Sequence, residues 1–124
     1  MLLRIPSLID AAQLAECRKA LESLLGRITE MNPADRAANF PERTMSARVP
    51  DLGLLFATRV GPHGVDPVKE VPPDSPPAQV RFTANSDDLV SIAADPASFA
   101  RAWLTGKLKV EANIFDVLRL RKFL

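Results

Sequence analysis

Few residues in this 124-residue chain have the types and spacing for covalent or acid–base chemistry. His63 is the only histidine, and it lies in Gly61-Pro62-His63-Gly64, a turn sequence. A catalytic base or metal ligand needs Cys, Asp or Glu partners, and no cluster of them surrounds it. Cys17 is the only cysteine, so no internal disulfide can form. A reactive thiol needs exposure and a lowered pKa. Cys17 instead falls on an apolar helical stripe and is expected to act as a small buried hydrophobe. Asp87 and Asp88 are adjacent carboxylates, but neighbours at a helix start point in different directions. Capping accounts for them. No G-x-S-x-G, P-loop or G-x-G-x-x-G is present. Nothing here argues for catalysis, a metal or a cofactor.

The residues that remain are large and apolar, and the elements carrying them decide what they do. The chain is 47% hydrophobic and 25% charged, ordinary for a soluble globular protein, and long enough to bury a core as one domain over 1–124. A net charge of +1 does not imply nucleic acid. With no tyrosine and no aromatic–basic stripe on a strand, single-stranded nucleic acid has little support either. Residues 96–124 hold six basic and two acidic side chains. A solvated helix face with strand-end lysines explains them; approach to anionic lipid is the other reading. The single cysteine fits a reducing, cytoplasmic setting. The first residues show no cationic region followed by an apolar core, so no signal peptide is expected. No stretch nears the ~20 apolar residues of a membrane span.

Ser7 and Asp10 form a helix start, and the helix is expected to run to about Gly26 or Met31. Leu14, Cys17, Leu21, Leu24, Leu25 and Ile28 fall on one stripe at three- and four-residue spacing. Residues 34–40 hold a turn of helix. Met45, Ala47 and Val49 alternate with Thr44, Ser46 and Arg48; Leu54, Phe56, Thr58 and Val60 follow on one face after a Pro50-Asp51 turn. Together they predict an antiparallel hairpin. Residues 62–77 contain six of the eleven prolines, so only a short edge strand over 65–71 is expected there. Val71 to Pro77 reads as a stiff polyproline-type connection.

From Ala78 onward the pattern is strand, two short helices, strand, terminal helix. Val80, Phe82 and Ala84 make one apolar strand face, and Leu108, Val110 and Ala112 another. Asn85 to Asp88 supplies helix-start chemistry, and Asp95-Pro96 repeats it. Phe99 and Trp103, four apart, share a helix face, which Gly106 ends. The helical stretch between the two strands is expected to form a crossover joining parallel strands. The fold class is α+β: a five-stranded mixed sheet with helices packed on one face.

The order and wording of this last block resemble the sterol carrier protein type-2 lipid-binding domains. The matching residues are Asp88-Leu89, Phe99 to Trp103, Gly106-Lys107-Leu108-Lys109-Val110 and Leu118 to Leu120. Val49 to Gly53, V-P-D-L-G, is similar to bacterial members. The resemblance implies an apolar tunnel between sheet and helices. It also implies non-catalytic binding or transfer of a sterol or steroid, fatty acid, acyl-CoA or phospholipid. Phe56, Phe82, Leu89, Ile92, Phe99, Trp103, Leu108, Val110, Ile114 and Leu118 are its expected lining, since periodicity turns each inward. Lys107, Lys109 or Arg101 would meet an acidic head group at the rim. The other reading keeps the fold with a filled core, as a protein-interaction module or homodimer subunit. A role beside enzymes of lipid thioesters or steroids rests on family context alone.

Overall fold

The structure, a computed structural model, describes residues 8–121. Its first element, α1 (Leu8–Thr29), is the predicted long helix. The expected Ser7 cap lies outside the described residues. A short α2 (Pro33–Asn39) follows, with the Asn32 side chain accepting from the Ala34 amide at 2.8 Å. Then comes the hairpin of β1 (Arg43–Val49) and β2 (Leu54–Gly61), paired antiparallel with Ala47 opposite Phe56. Pro50–Leu52 turn in a 3₁₀ helix, and Gly53 closes the turn at φ 64, a left-handed conformation that glycine adopts without a Cβ clash.

Two strand pieces then line the edge of β2. They are β3 (Gly64–Val65) and β4 (Lys69–Val71), both antiparallel to it. The single edge strand expected over 65–71 is thus divided, making six strands among the described residues in place of five. Asp66-Pro67-Val68 lies between the pieces, and a proline there has no amide to continue a ladder. β5 (Val80–Ala84) runs parallel to β1, Met45 opposite Val80. Thr44 and Gln79 set this register with reciprocal bonds: each backbone amide donates to the other's side-chain oxygen, at 3.0 and 2.9 Å. α3 (Ser86–Ala94), a 3₁₀ turn at Pro96–Ser98 and α4 (Phe99–Leu104) lead to β6 (Leu108–Glu111). α5 (Ile114–Arg121) ends the described chain.

β6 pairs with β5 antiparallel, with Leu108 opposite Ala84, which corrects the parallel crossover expected from sequence. One crossover helix carries the chain to the far end of a sheet. Here two helical segments succeed each other, and the chain re-enters the sheet beside the end it left. The strand order is β3-β2-β1-β5-β6, with β4 also on β2. The sheet is mixed and α1 packs on α3. The buried cluster joins the two helices to the sheet through Cys17, Ala20, Val49, Phe56, Leu89, Ile92 and Leu108.

α3 is capped from a distance. The expected Asn85 cap makes no side-chain bond, and neither does Asp95 before Pro96. Instead the Asp51 carboxylate, in the β1–β2 turn, accepts the Ser86 amide at 2.9 Å and the Ser86 hydroxyl. Its partial burial alone would raise the Asp51 pKa, but bonds from the Ser86 hydroxyl, the Ser86 amide and its own amide outweigh this. The carboxyl is held below its ordinary range. A group with a lowered folded pKa stabilises the fold above its unfolded value and stops doing so as pH falls through the folded one. Asp51→Ala is therefore expected to cost about 1 kcal/mol at neutral pH. Denaturant unfolding of both proteins across an acid series should show that gap closing as Asp51 protonates.

Candidate functional site

Helices α1 and α3 do not close down on the sheet everywhere. Between them and the strands lies a cavity of about 460 Å³, partly open to solvent. That lies within the usual range for small-molecule sites. The sheet floor is Met45, Ala47, Phe56 and Phe82, whose side chains share one face by the observed pairing. α1 contributes Leu21, Leu24, Leu25 and Ile28, and α3 contributes Leu89 and Ile92. Phe99 and Leu108 close one side, and Leu120 of α5 borders it as well.

Of the ten residues expected to line a tunnel, the structure brings six to this cavity: Phe56, Phe82, Leu89, Ile92, Phe99 and Leu108. The aromatic rings interlock edge to face. Phe99 stands 6.4 Å from Phe82 and 6.2 Å from Trp103, centroid to centroid. Trp103 is half-buried behind Phe99 and outside the lining. Val110 sits opposite Phe82 on the helix-facing side of the sheet, also half-buried and outside the lining.

Ile114 and Leu118 correct the sequence reading. They point outward, 63% and 48% exposed, with Phe115 beside them at 68%. The cause is Asp116, which is buried at 4% exposure. Its carboxylate accepts Arg43 Nε at 3.0 Å and Arg119 Nη1 at 2.7 Å. Asn113 caps the helix by accepting the Asp116 amide at 2.9 Å. A buried carboxylate must keep its cationic partners, because leaving it unpaired costs more than exposing an apolar side chain. Asp116 therefore sets the rotation of α5, and Ile114 and Leu118 follow it outward.

The α1 residues are visible in the sequence as an apolar stripe, but nothing in their spacing separates lining from core. Met45 and Ala47 likewise show in the sequence only as one face of the expected hairpin. Among the described residues, the charged ones in the lining are Arg27 and Arg48. Arg48 donates to the Pro73 carbonyl at 3.1 Å, while Arg27 has no hydrogen-bond or ion-pair partner among the described residues. Arg101, Lys107 and Lys109, the cations expected at the rim, are exposed and lie outside the lining. Arg27 directly precedes Ile28 of the α1 stripe, and that adjacency is its signal in the sequence.

The reactive-looking residues have local duties. His63 Nε2 lies 3.1 Å from Asp66 Oδ1 across its turn. Cys17 is fully buried; burial pushes its thiol pKa up, and the Asp51, Glu16 and Asp87 carboxylates push it further. That is the reverse of what a nucleophile requires. Arg18 donates to the Val68 carbonyl at 2.7 Å and lies over the Phe56 ring, 5.7 Å from its centroid. Among the described residues no group of three His, Cys, Asp or Glu is placed to hold a metal, and no helix is long and apolar enough to cross a membrane.

This arrangement has counterparts among solved structures. Sterol carrier protein 2 like 2 from Aedes aegypti superposes with a TM-score of 0.61 at 12% identity, covering 90% of this chain and 98% of that one. The UbiJ-SCP2 ubiquinone synthesis protein gives 0.57 at 17% identity, over 83% and 88%. A double mutant of the sec-alkyl sulfatase PisA1 gives 0.60 at 16% identity; 84% of this chain matches 16% of that much longer one. No family model and no curated protein matches the sequence. At these identities the likeness establishes the fold: α+β, of the sterol carrier protein 2 type, as the C-terminal wording implied.

Asp116→Ala is expected to lower unfolding stability by about 2 kcal/mol, the scale of hydrogen bonds to a charged group. Arg119→Ala should cost a few tenths, as its half-exposed pair is screened by solvent. Hydrogen exchange should quicken over 114–121 in the first variant far more than in the second.

Proposed function

We propose that this chain binds or carries a hydrophobic molecule in the cavity between α1, α3 and the sheet. Candidates are an acyl chain, sterol or steroid, or phospholipid, bound without covalent chemistry. The observation that carries the proposal is the cavity itself: about 460 Å³ under mostly apolar walls. In water such walls are costly, and an apolar guest removes them from solvent at about 25 cal/mol per Å². A cavity of this size favours a guest over the filled-core interaction module. The solved structures of the same fold whose names refer to sterol carriage or ubiquinone synthesis support it as well.

Among the described residues, both charged members of the lining are arginines. Arg27, unpartnered among the described residues, can donate to a carboxylate or phosphate at the cavity mouth. The preferred guest is therefore an amphiphile with an acidic head, held by its apolar body. We place this activity in the cytoplasm, in a single domain that performs no catalysis of its own.

Native mass spectrometry with extraction of bound material is expected to show a lipid adduct. In a series of saturated fatty acids, affinity should rise about four-fold per added methylene, following ~0.8 kcal/mol for each CH₂ buried, until the cavity is full. Affinity flat with chain length, with no adduct, would remove the cavity as a binding site. Ala47→Phe, which fills the floor beside Phe56, should abolish the adduct in a protein that still unfolds cooperatively. Arg27→Gln should weaken fatty acid binding about ten-fold, the loss of one charge-assisted bond, and leave an uncharged sterol unaffected.

A further inference from the structure

α5 turns Leu120 toward the cavity and a second, larger apolar side to solvent. Its one acidic residue, Asp116, faces the protein, while Ile114, Phe115 and Leu118 face solvent. At 100° per residue these three and Arg121 occupy one side of the helix. Arg121 is exposed and has no acidic partner among the described residues. Arg119 flanks the same side, half-exposed and shared with the buried Asp116. No other acidic residue lies on α5, and Glu111, just before it, is 3.7 Å from Arg81. Three neighbouring large apolar side chains on one short helix, flanked by cations, are not the ordinary scatter of exposed hydrophobics.

We infer that the outer face of α5 docks on an anionic lipid bilayer. Phe115, Leu118 and Ile114 enter the interfacial layer, and Arg121 and Arg119 meet lipid phosphates. Apolar burial and charge attraction then act together, as interfacial helices require. A second copy of the chain fits the same face less well, because a two-fold contact sets this face against itself and offers Arg119 and Arg121 no exposed acidic partner on α5. The buried Asp116–Arg43 pair is what keeps the apolar side out, so the face is built into the fold. Leu120, on the opposite side of α5, borders the cavity. A docked α5 would therefore lie between cavity and bilayer, but the docking itself does not depend on what the cavity holds.

The test is co-sedimentation of the full chain with vesicles of phosphatidylcholine alone or mixed with an equal amount of phosphatidylglycerol. The mixed vesicles are expected to bind the protein, and binding should weaken with added salt. Phe115→Ser should weaken it at least ten-fold, from the loss of one inserted aromatic side chain. Arg121→Gln should weaken it about five-fold on the mixed vesicles and leave phosphatidylcholine unaffected. Both residues are exposed, so circular dichroism and thermal unfolding should match the parent; were Phe115→Ser to lose its fold, Arg121→Gln carries the test alone. Equal binding of parent and variants would overturn the inference, as would no binding to either vesicle. So would a dimer in light scattering that Phe115→Ser dissolves.

Discussion

A helix leaves its first amides without partners, and in this fold the answer to α3 comes from 35 residues upstream. The Asp51 carboxylate ties the start of α3 to the β1–β2 turn. Much of the remaining geometry depends on that tie. It holds α3 at the end of the sheet where β1 finishes, and α1 packs on α3. The cluster of Cys17, Val49 and Leu89 seals that region. Farther along, the helices stand over the sheet without filling the space beneath. A roof fixed in one region and raised in another is how a chain with an ordinary apolar content keeps a cavity open.

The second constraint is Asp116. Burying its carboxylate between Arg43 and Arg119 fixes α5 in a rotation that hydrophobic burial alone would reverse. The consequence reaches both sides of the helix. Leu120 turns toward the cavity, and Ile114, Phe115 and Leu118 turn away from the protein. One ion-pair cluster thereby shapes the border of the site and creates the most apolar exposed helix face among the described residues.

Much of the fold was legible because strand and helix periods differ. Alternation over 45–49, 54–60 and 80–84 assigned the inward faces as the structure has them, and the α1 stripe located Cys17 in the core. The Val65–Val71 edge was visible only as one strand, because its division depends on where the ladder to β2 can close around Pro67. The antiparallel β5–β6 pairing is not legible, because the two short helices visible in the sequence fit either a crossover to a parallel strand or a return beside the end the chain left. The site was legible by residue type but not by place. Leu24 and Leu25 read as core, since the residues that line a cavity and those that fill one are the same. Ile114 and Leu118 read as inward, because a helix ordinarily buries the side that holds more apolar residues, here Ile114, Phe115 and Leu118 against Val117 and Leu120. Only the distant partner, Arg43, reverses it, and no local pattern reveals a contact 73 residues away.

The most direct test of the central claim is to record intermolecular nuclear Overhauser effects between a labelled protein and a saturated fatty acid. Contacts are expected from the acyl methylenes to the ring protons of Phe56 and Phe82 and to the methyl groups of Leu24 and Ile92. Contacts confined to the outer surface, or chemical shifts of these four residues that do not move on titration, would contradict it.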